Sequence, residues 1–193
     1  MLKEKLKDYN IILASGSPRR QQFFKDLDID FTIILKSVDE VYPKELKETE
    51  ITDYLADLKS KAFTNLSDKD ILITSDTIVW LNNKALGKPK DDKEAFNMLS
   101  ALSGKTHKVI TSISIKTNRF QKMINDVTKV SFKQLSDEEI EYYIKKYKPF
   151  DKAGAYGIQE WIGFIGIDKI EGSYFNVVGL PVHKLYKTLM NLS

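Results

Sequence analysis

The stretch YNIILASGSPRR, residues 9–20, decides the fold. Its apolar first half reads as a buried strand over residues 9–14. Ser15, Gly16 and Ser17 make a loop of small side chains. Ser17 is placed to cap a helix over residues 18–27. Pro18 takes the first helical position, where its fixed φ and missing N–H do no harm. A strand that passes through such a loop into a helix start presents unpaired N–H groups and a partial positive charge. Arg19 and Arg20 in the first turn oppose that dipole, at about 0.3–1 kcal/mol each. A bound anion would reverse the sign. Together these features describe a phosphate cradle. Taken alone, the same pattern also fits an ordinary capped helix with solvated arginines.

Outward from this stretch, residues 31–35 read as a second short strand. Residues 48–65 read as a helix with Ile51, Leu55, Leu58 and Ala62 on one face. Residues 71–74 form a buried strand ending at Ser75-Asp76-Thr77, and residues 78–86 a hairpin turning at Asn82-Asn83. A helix follows over 91–102, closed near Gly104. Residues 107–116 and 122–132 alternate as two long strands. A helix over 136–147 opens with a capping box of Ser136 and Glu139. A Gly-rich stretch, a strand near 164–167 and a helix from about Pro181 complete the chain. Strands and helices alternate early and hairpins come late, so the expected class is α/β, a mixed sheet with helices on its faces. No repeat or Gly/Ser/Pro-rich linker divides the chain, and residues 1–193 are expected to form a single domain.

The chain has 193 residues, 42% hydrophobic and 30% charged, which is the composition of a globular protein. Its 30 Lys and Arg against 27 Asp and Glu leave +3, too little to imply a nucleic-acid binder. With no cysteine, disulfides, thiolate catalysis and cysteine zinc sites are excluded. The apolar run at 11–14 is too short for a signal sequence, and no stretch approaches the roughly 18 residues of a membrane span. A soluble cytoplasmic protein is the expectation, with no nucleic-acid or membrane partner.

Four further segments carry candidate chemistry. Asp76 after an apolar run stands where open α/β sheets place ligands, and it can ligate magnesium or position a water. It is equally a turn residue at a strand end. Gly87-Lys88-Pro89 offers a cation on a stiffened turn. DKAGAYGIQ at 151–159 offers close backbone approach and, at Gln159, donors and an acceptor suited to a base edge. GSYFNVVGLP at 172–181 is again a loop leading into a helix. GxxxxGK[ST], GxGxxG, HExxH and GxSxG are absent. His107 and His183, the only histidines, read as structural. Any metal would therefore be a hard, oxygen-ligated cation.

Eight pieces in this order resemble the Maf family of nucleoside triphosphate pyrophosphatases across nearly the whole chain. They are ASGSPRR at 14–20, VDE at 38–40, LADLK at 55–59, SDT at 75–77, GKP at 87–89, SGKTHKVIT at 103–111, DKAGAYGIQ and GSYFNVVGLP. The resemblance implies two lobes around a deep cleft, of the kind seen in inosine triphosphatases, and cleavage between the α- and β-phosphates. It implies Asp76 as the general base and Glu40, with Asp76, as ligands of Mg2+ or Mn2+. It implies that Arg19, Arg20, Lys59 and Lys88 grip the triphosphate, with Ser15 and Ser17 lining the same loop. Arg19, Thr77 and Gln159 look like the branch acting on dTTP and UTP rather than on 7-methyl-GTP. A Gln amide suits the O4 and N3–H edge of thymine or uracil.

The chain departs from the family pattern at Ser112, where Gly is common, and at Ser60, where Ala is common. The implied biological role is removal of unwanted or modified nucleotides, with a homodimer as the assembly to test. The competing reading is a nucleotide-binding regulator of septum formation without turnover, and intact Asp76, Glu40, Lys59 and Lys88 favour the enzyme.

Overall fold

The computed structural model describes residues 1–192. In chain order the elements are α1 (Leu2–Leu6), β1 (Asn10–Leu13), α2 (Pro18–Asp26), β2 (Phe31–Ile33), α3 (Thr49–Lys61), β3 (Asp70–Leu81), β4 (Lys84–Leu86), α4 (Asp92–Leu102), β5 (Thr106–Lys116), β6 (Gln121–Phe132), α5 (Asp137–Tyr147), a 3-10 turn (Ala153–Ala155), α6 (Trp161–Gly166), β7 (Ile167–Glu171), α7 (Tyr174–Val178) and α8 (Val182–Met190). Hydrogen-bonded strands follow the order β2-β1-β3-β5-β6-β7, with β4 paired to β3. The pairs β1–β2 and β1–β3 are parallel, whereas β3–β4 and β6–β7 are antiparallel, so the sheet is mixed as expected.

The chain forms two compact units and passes from one to the other four times, so neither is a continuous segment. Among the described residues, unit 1 comprises 1–76, 111–126 and 179–192, and unit 2 comprises 77–110 and 127–178.

In unit 1 the core on one sheet face joins Leu13, Ile71, Ile73, Ile113 and Ile115 to Leu2 and Leu6 of α1, Phe24 of α2 and Leu185 and Leu189 of α8. A smaller cluster of Ile12, Leu72 and Phe63 lies on the other face, where successive strand residues must point. Each such fully buried aliphatic side chain contributes about 1.5–3 kcal/mol of transfer free energy. Unit 2 has its own core, in which Val79, Leu81, Val109, Val130 and Phe132 meet Ala95, Leu99 and Leu102 of α4 and Ile140, Tyr143 and Ile144 of α5. The caps read from the sequence are present. Ser17 Oγ accepts from the Arg20 N–H, and Ser136 and Glu139 close a full capping box. Asn82 and Asn83 both hold positive φ, the backbone that a two-residue hairpin turn needs.

The structure differs from the sequence reading at several places: α1 was not expected, and α7 stands within the stretch 172–181 that reads as a loop. β3 does not stop at residue 74 but runs unbroken to Leu81, so Ser75, Asp76 and Thr77 lie inside a strand. Its parallel neighbour β1 pairs only as far as Leu13 with Ile73. Asp76 therefore still lies past the carboxyl end of β1, the side on which parallel strands hold ligands. The strand expected near 164–167 begins only at Ile167, and Phe164–Gly166 belong to α6. There Ile162 and Gly166 are buried four residues apart while Phe164 faces solvent, which is helical rather than strand periodicity.

Candidate active site

The loop between β1 and α2 is held by its own side chains. Ser15 Oγ accepts from the Ser17 N–H at 3.2 Å, and Gln21 Nε2 donates to the Ser15 carbonyl at 3.3 Å. Arg20 turns back across this loop. Its Nε donates to the Gly179 carbonyl at 2.9 Å, and its Nη1 donates to the Ser75 carbonyl at 3.0 Å and to Ser15 Oγ at 3.5 Å. One guanidinium thus ties the loop, β3 and the entry to α8 together. Burial draws the Arg20 pKa down; Asp76 opposes the fall, Arg19 adds to it, and Glu40 opposes it. The side chain stays charged because an arginine does not lose its proton in a protein. The dipole penalty that the sequence predicts for Arg20 is thereby offset by two protein carbonyls and two nearby carboxylates. Arg20 is a brace as well as a cation.

Asp76 and Lys59 meet beside a buried hydrogen bond that joins α3 to β3. Thr74 Oγ1 donates to the Ala56 carbonyl at 2.6 Å. Asp76, two residues along the strand, shares the Thr74 face, and Lys59, three residues along the helix, shares the Ala56 face. Lys59 Nζ accordingly donates to Asp76 Oδ1 at 2.7 Å. The same ammonium lies 3.1 Å from Glu40 Oε2. Asp76 is 7% exposed, so this is a nearly dry carboxylate with one strong partner.

Unit 1 therefore brings together seven of the expected residues: Ser15, Ser17, Arg19, Arg20, Glu40, Lys59 and Asp76. Thr77, Lys88 and Gln159 belong to unit 2. Lys88 is exposed on the turn after β4, and the Gly87 carbonyl in that turn accepts from the Gly154 N–H at 2.9 Å. Gln159 is half-buried, and its Oε1 is a buried acceptor with no hydrogen-bond partner.

The donor chemistry fits a hard divalent cation. Two carboxylate oxygens already converge on one positive charge at Lys59. Magnesium and manganese are commonly held by one or two carboxylates, with water and substrate phosphates completing the shell. Among the described residues no group of three or more His, Asp or Glu forms a metal cage.

His107 is structural, as expected from the sequence. It is buried, and its Nε2 lies 2.8 Å from Tyr156 Oη. Sequence reasoning missed a second polar cluster, in unit 2. Gly157 N–H donates to Tyr143 Oη at 3.0 Å, Tyr143 Oη donates to Glu160 Oε2, and Glu160 Oε1 lies 3.1 Å from Lys152 Nζ. Lys152 stood within a recognised motif, but nothing in the local pattern marks Tyr143, fourteen residues before Gly157.

Comparison with known proteins places the chain in a family. The family model described as Maf-like protein matches residues 10–192. A dTTP/UTP pyrophosphatase of Flavobacterium johnsoniae is 64% identical over the full length of both chains. One from Flavobacterium psychrophilum is 60% identical, covering 99% of this chain and 98% of the relative. One from Phocaeicola vulgatus is 52% identical over 98% and 99%. Among solved structures, a HAM1 protein from Coxiella burnetii superposes with a TM-score of 0.54 at 17% identity, covering 95% of this chain and all of that one, which speaks to the fold.

Proposed function

Since this chain belongs to the Maf family, we propose that it hydrolyses dTTP and UTP to the nucleoside monophosphate and pyrophosphate. The observation that carries the reading is the convergence of Asp76 and Glu40 on Lys59, beside a loop braced by Arg20.

A nucleoside triphosphate is a compact polyanion, and its hydrolysis depends mainly on positioning and charge stabilisation. Arg19, Arg20, Lys59 and Lys88 supply the positive charge, and Ser15 and Ser17 supply hydroxyls on the cradle loop. Asp76 takes the proton of the water whose oxygen bonds to the α-phosphorus. The bond between that phosphorus and the bridging oxygen breaks, and pyrophosphate leaves with the electron pair. Glu40 and Asp76 would hold Mg2+ or Mn2+, which when bound polarises phosphate oxygens and lowers the pKa of bound water.

Arg19, Thr77 and Gln159 set the base preference. A buried acceptor without a partner is costly in a folded protein. The Oε1 of Gln159 is such an atom, and a thymine or uracil N3–H would satisfy it. Cytosine offers an acceptor at the same position and would not. Among the described residues no helix is long and apolar enough to cross a membrane. A cytoplasmic location, and a homodimeric assembly to be checked by light scattering, complete the proposal.

The test is pyrophosphate release from a panel of nucleoside triphosphates with magnesium or manganese. Asp76→Asn is expected to lose most turnover and still fold, and Gln159→Ala to lose preference for dTTP over dCTP. Wild-type kcat in the first variant would remove Asp76 from its role, and no pyrophosphate from dTTP or UTP would end the proposal.

A further inference from the structure

We propose that Tyr143, acting with Glu160 and Lys152, is a positioning device that fixes the carboxamide of Gln159 and thereby sets pyrimidine selectivity; this rests on Gln159 being the base-reading residue.

Gln159 lies inside a four-residue turn, closed by the Glu160 N–H donating to the Gly157 carbonyl at 3.0 Å. One phenol oxygen grips both ends of that turn. Tyr143 Oη accepts from the Gly157 N–H at 3.0 Å and donates to Glu160 Oε2. The other Glu160 oxygen is 3.1 Å from Lys152 Nζ, which also donates to Asp151 Oδ1 at 2.7 Å. The ion pair lies directly over the turn. A Cβ at Gly157 would stand 2.9 Å from Glu160 Cδ and 3.0 Å from Lys152 Cε. The clamp leaves no room for a side chain there.

The polarity of the clamp is fixed. Tyr143 is fully buried, and burial, reinforced by Glu160, holds its pKa far above the ordinary phenol range. The hydroxyl therefore keeps its proton and points it at Glu160, leaving its lone pairs to Gly157. Gln159 itself contributes no such anchor, since its Oε1 has no hydrogen-bond partner in the protein. The backbone that carries this side chain is held on both sides by Tyr143, through the Gly157 N–H and the Glu160 carboxylate. A buried Lys–Glu pair is rarely more stabilising than an apolar pair of the same volume. Its value here is geometric: it holds Glu160 where Tyr143 can reach it.

The experiment is a double-mutant cycle in the full chain. Tyr143→Phe deletes one oxygen and keeps the ring, and the readout is kcat/KM for dTTP relative to dCTP, with melting temperature alongside. The expected result is a fall of about tenfold in that ratio, mainly through the KM for dTTP. No further fall is expected when Tyr143→Phe is added to Gln159→Ala. An unchanged ratio in a folded Tyr143→Phe protein overturns the inference, and so does a fall that simply adds to that of Gln159→Ala. If Tyr143→Phe does not fold, Glu160→Gln and Glu160→Ala enter the same cycle. The first keeps an acceptor for Tyr143 and should retain selectivity; the second should lose it, and equal behaviour of the two overturns the inference. Should Gln159→Ala alone leave the ratio unchanged, the base-reading assignment itself fails, an outcome distinct from failure of the clamp.

Discussion

Acid should destabilise this protein through His107, and the size of the effect follows from where the ring sits. His107 is 2% exposed, and its ring meets Phe132 and Tyr156 edge-on with centroids 5.2 and 5.5 Å away. Its Nε2 pairs with Tyr156 Oη at 2.8 Å, and its Nδ1 has no partner. No carboxylate compensates a charge on the ring, so burial lowers its pKa from 6.5 to about 4. A folded-state pKa below the unfolded one means that the unfolded chain binds the proton first. Stability from this group is therefore complete above 6.5 and declines as the pH falls toward 4. The gap is worth about 3 kcal/mol in total, of which about 2 kcal/mol is gone by about pH 5.

The assay is urea unfolding of wild type and His107→Gln from about pH 7.5 down to about pH 5. Glutamine keeps a polar atom for Tyr156 and removes the titration. Wild type should start the more stable, and its advantage should shrink by about 2 kcal/mol across that range. Carboxylates elsewhere affect both proteins alike and cancel in the difference. A difference that stays constant with pH would refute the reasoning, because it would mean that the buried ring does not resist protonation.

Two further predictions concern single atoms. Lys59→Met removes the cation shared by Asp76 and Glu40 and should cost about 1–3 kcal/mol in the absence of metal; added magnesium should then raise its melting temperature more than that of wild type, and an equal or smaller rise would show that the two carboxylates do not take up the ion. Gly154→Ala places a Cβ 2.7 Å from Val79 Cγ2 at φ +68, so it should lose about 1–3 kcal/mol, whereas Gly87→Ala, with nothing within 4 Å of the new atom, should melt close to wild type.

What the sequence revealed depended on whether the determining interaction was local. β1, the small-residue loop and α2 were legible because an apolar run, an N-cap serine and a first-turn proline lie within twelve residues. The α5 start and the Asn82-Asn83 turn were legible for the same reason. The course of β3 was not, because Ser75-Asp76-Thr77 looks like a strand end. Only its neighbours in the sheet keep the strand going, and those are set by distant segments. Residues 164–166 are apolar in either period, and helix wins through contacts that a short run does not display.

The departures from the family pattern resolve similarly. Ser112 Oγ is buried, donates to Asp53 Oδ1 at 2.5 Å and shares a hydrogen bond with Thr52 at 2.6 Å, while Asn125 also donates to Asp53. Ser60 Oγ donates to the Asp57 carbonyl and accepts from Gln121. Each added hydroxyl has at least one partner far away in the chain, Gln121 for Ser60 and Asp53 and Thr52 for Ser112.

The polarity beside the core of unit 1 answers two demands at once. Arg19, Arg20, Lys59, Glu40 and Asp76 gather there, three cations against two carboxylates. Folding requires that no buried charge be left alone. Arg20 rests on two carbonyls and Lys59 on both carboxylates, so the cluster is satisfied before any ligand arrives. Phosphoryl transfer instead requires positive charge aimed at the substrate. Lys59 cannot serve its carboxylates and a polyphosphate equally in one position. Anything that takes over Asp76 and Glu40 frees the ammonium for the phosphates. Lys59 is therefore the residue at which the requirements of folding and of turnover compete, and the magnesium-dependent gain in stability of Lys59→Met over wild type measures that competition directly.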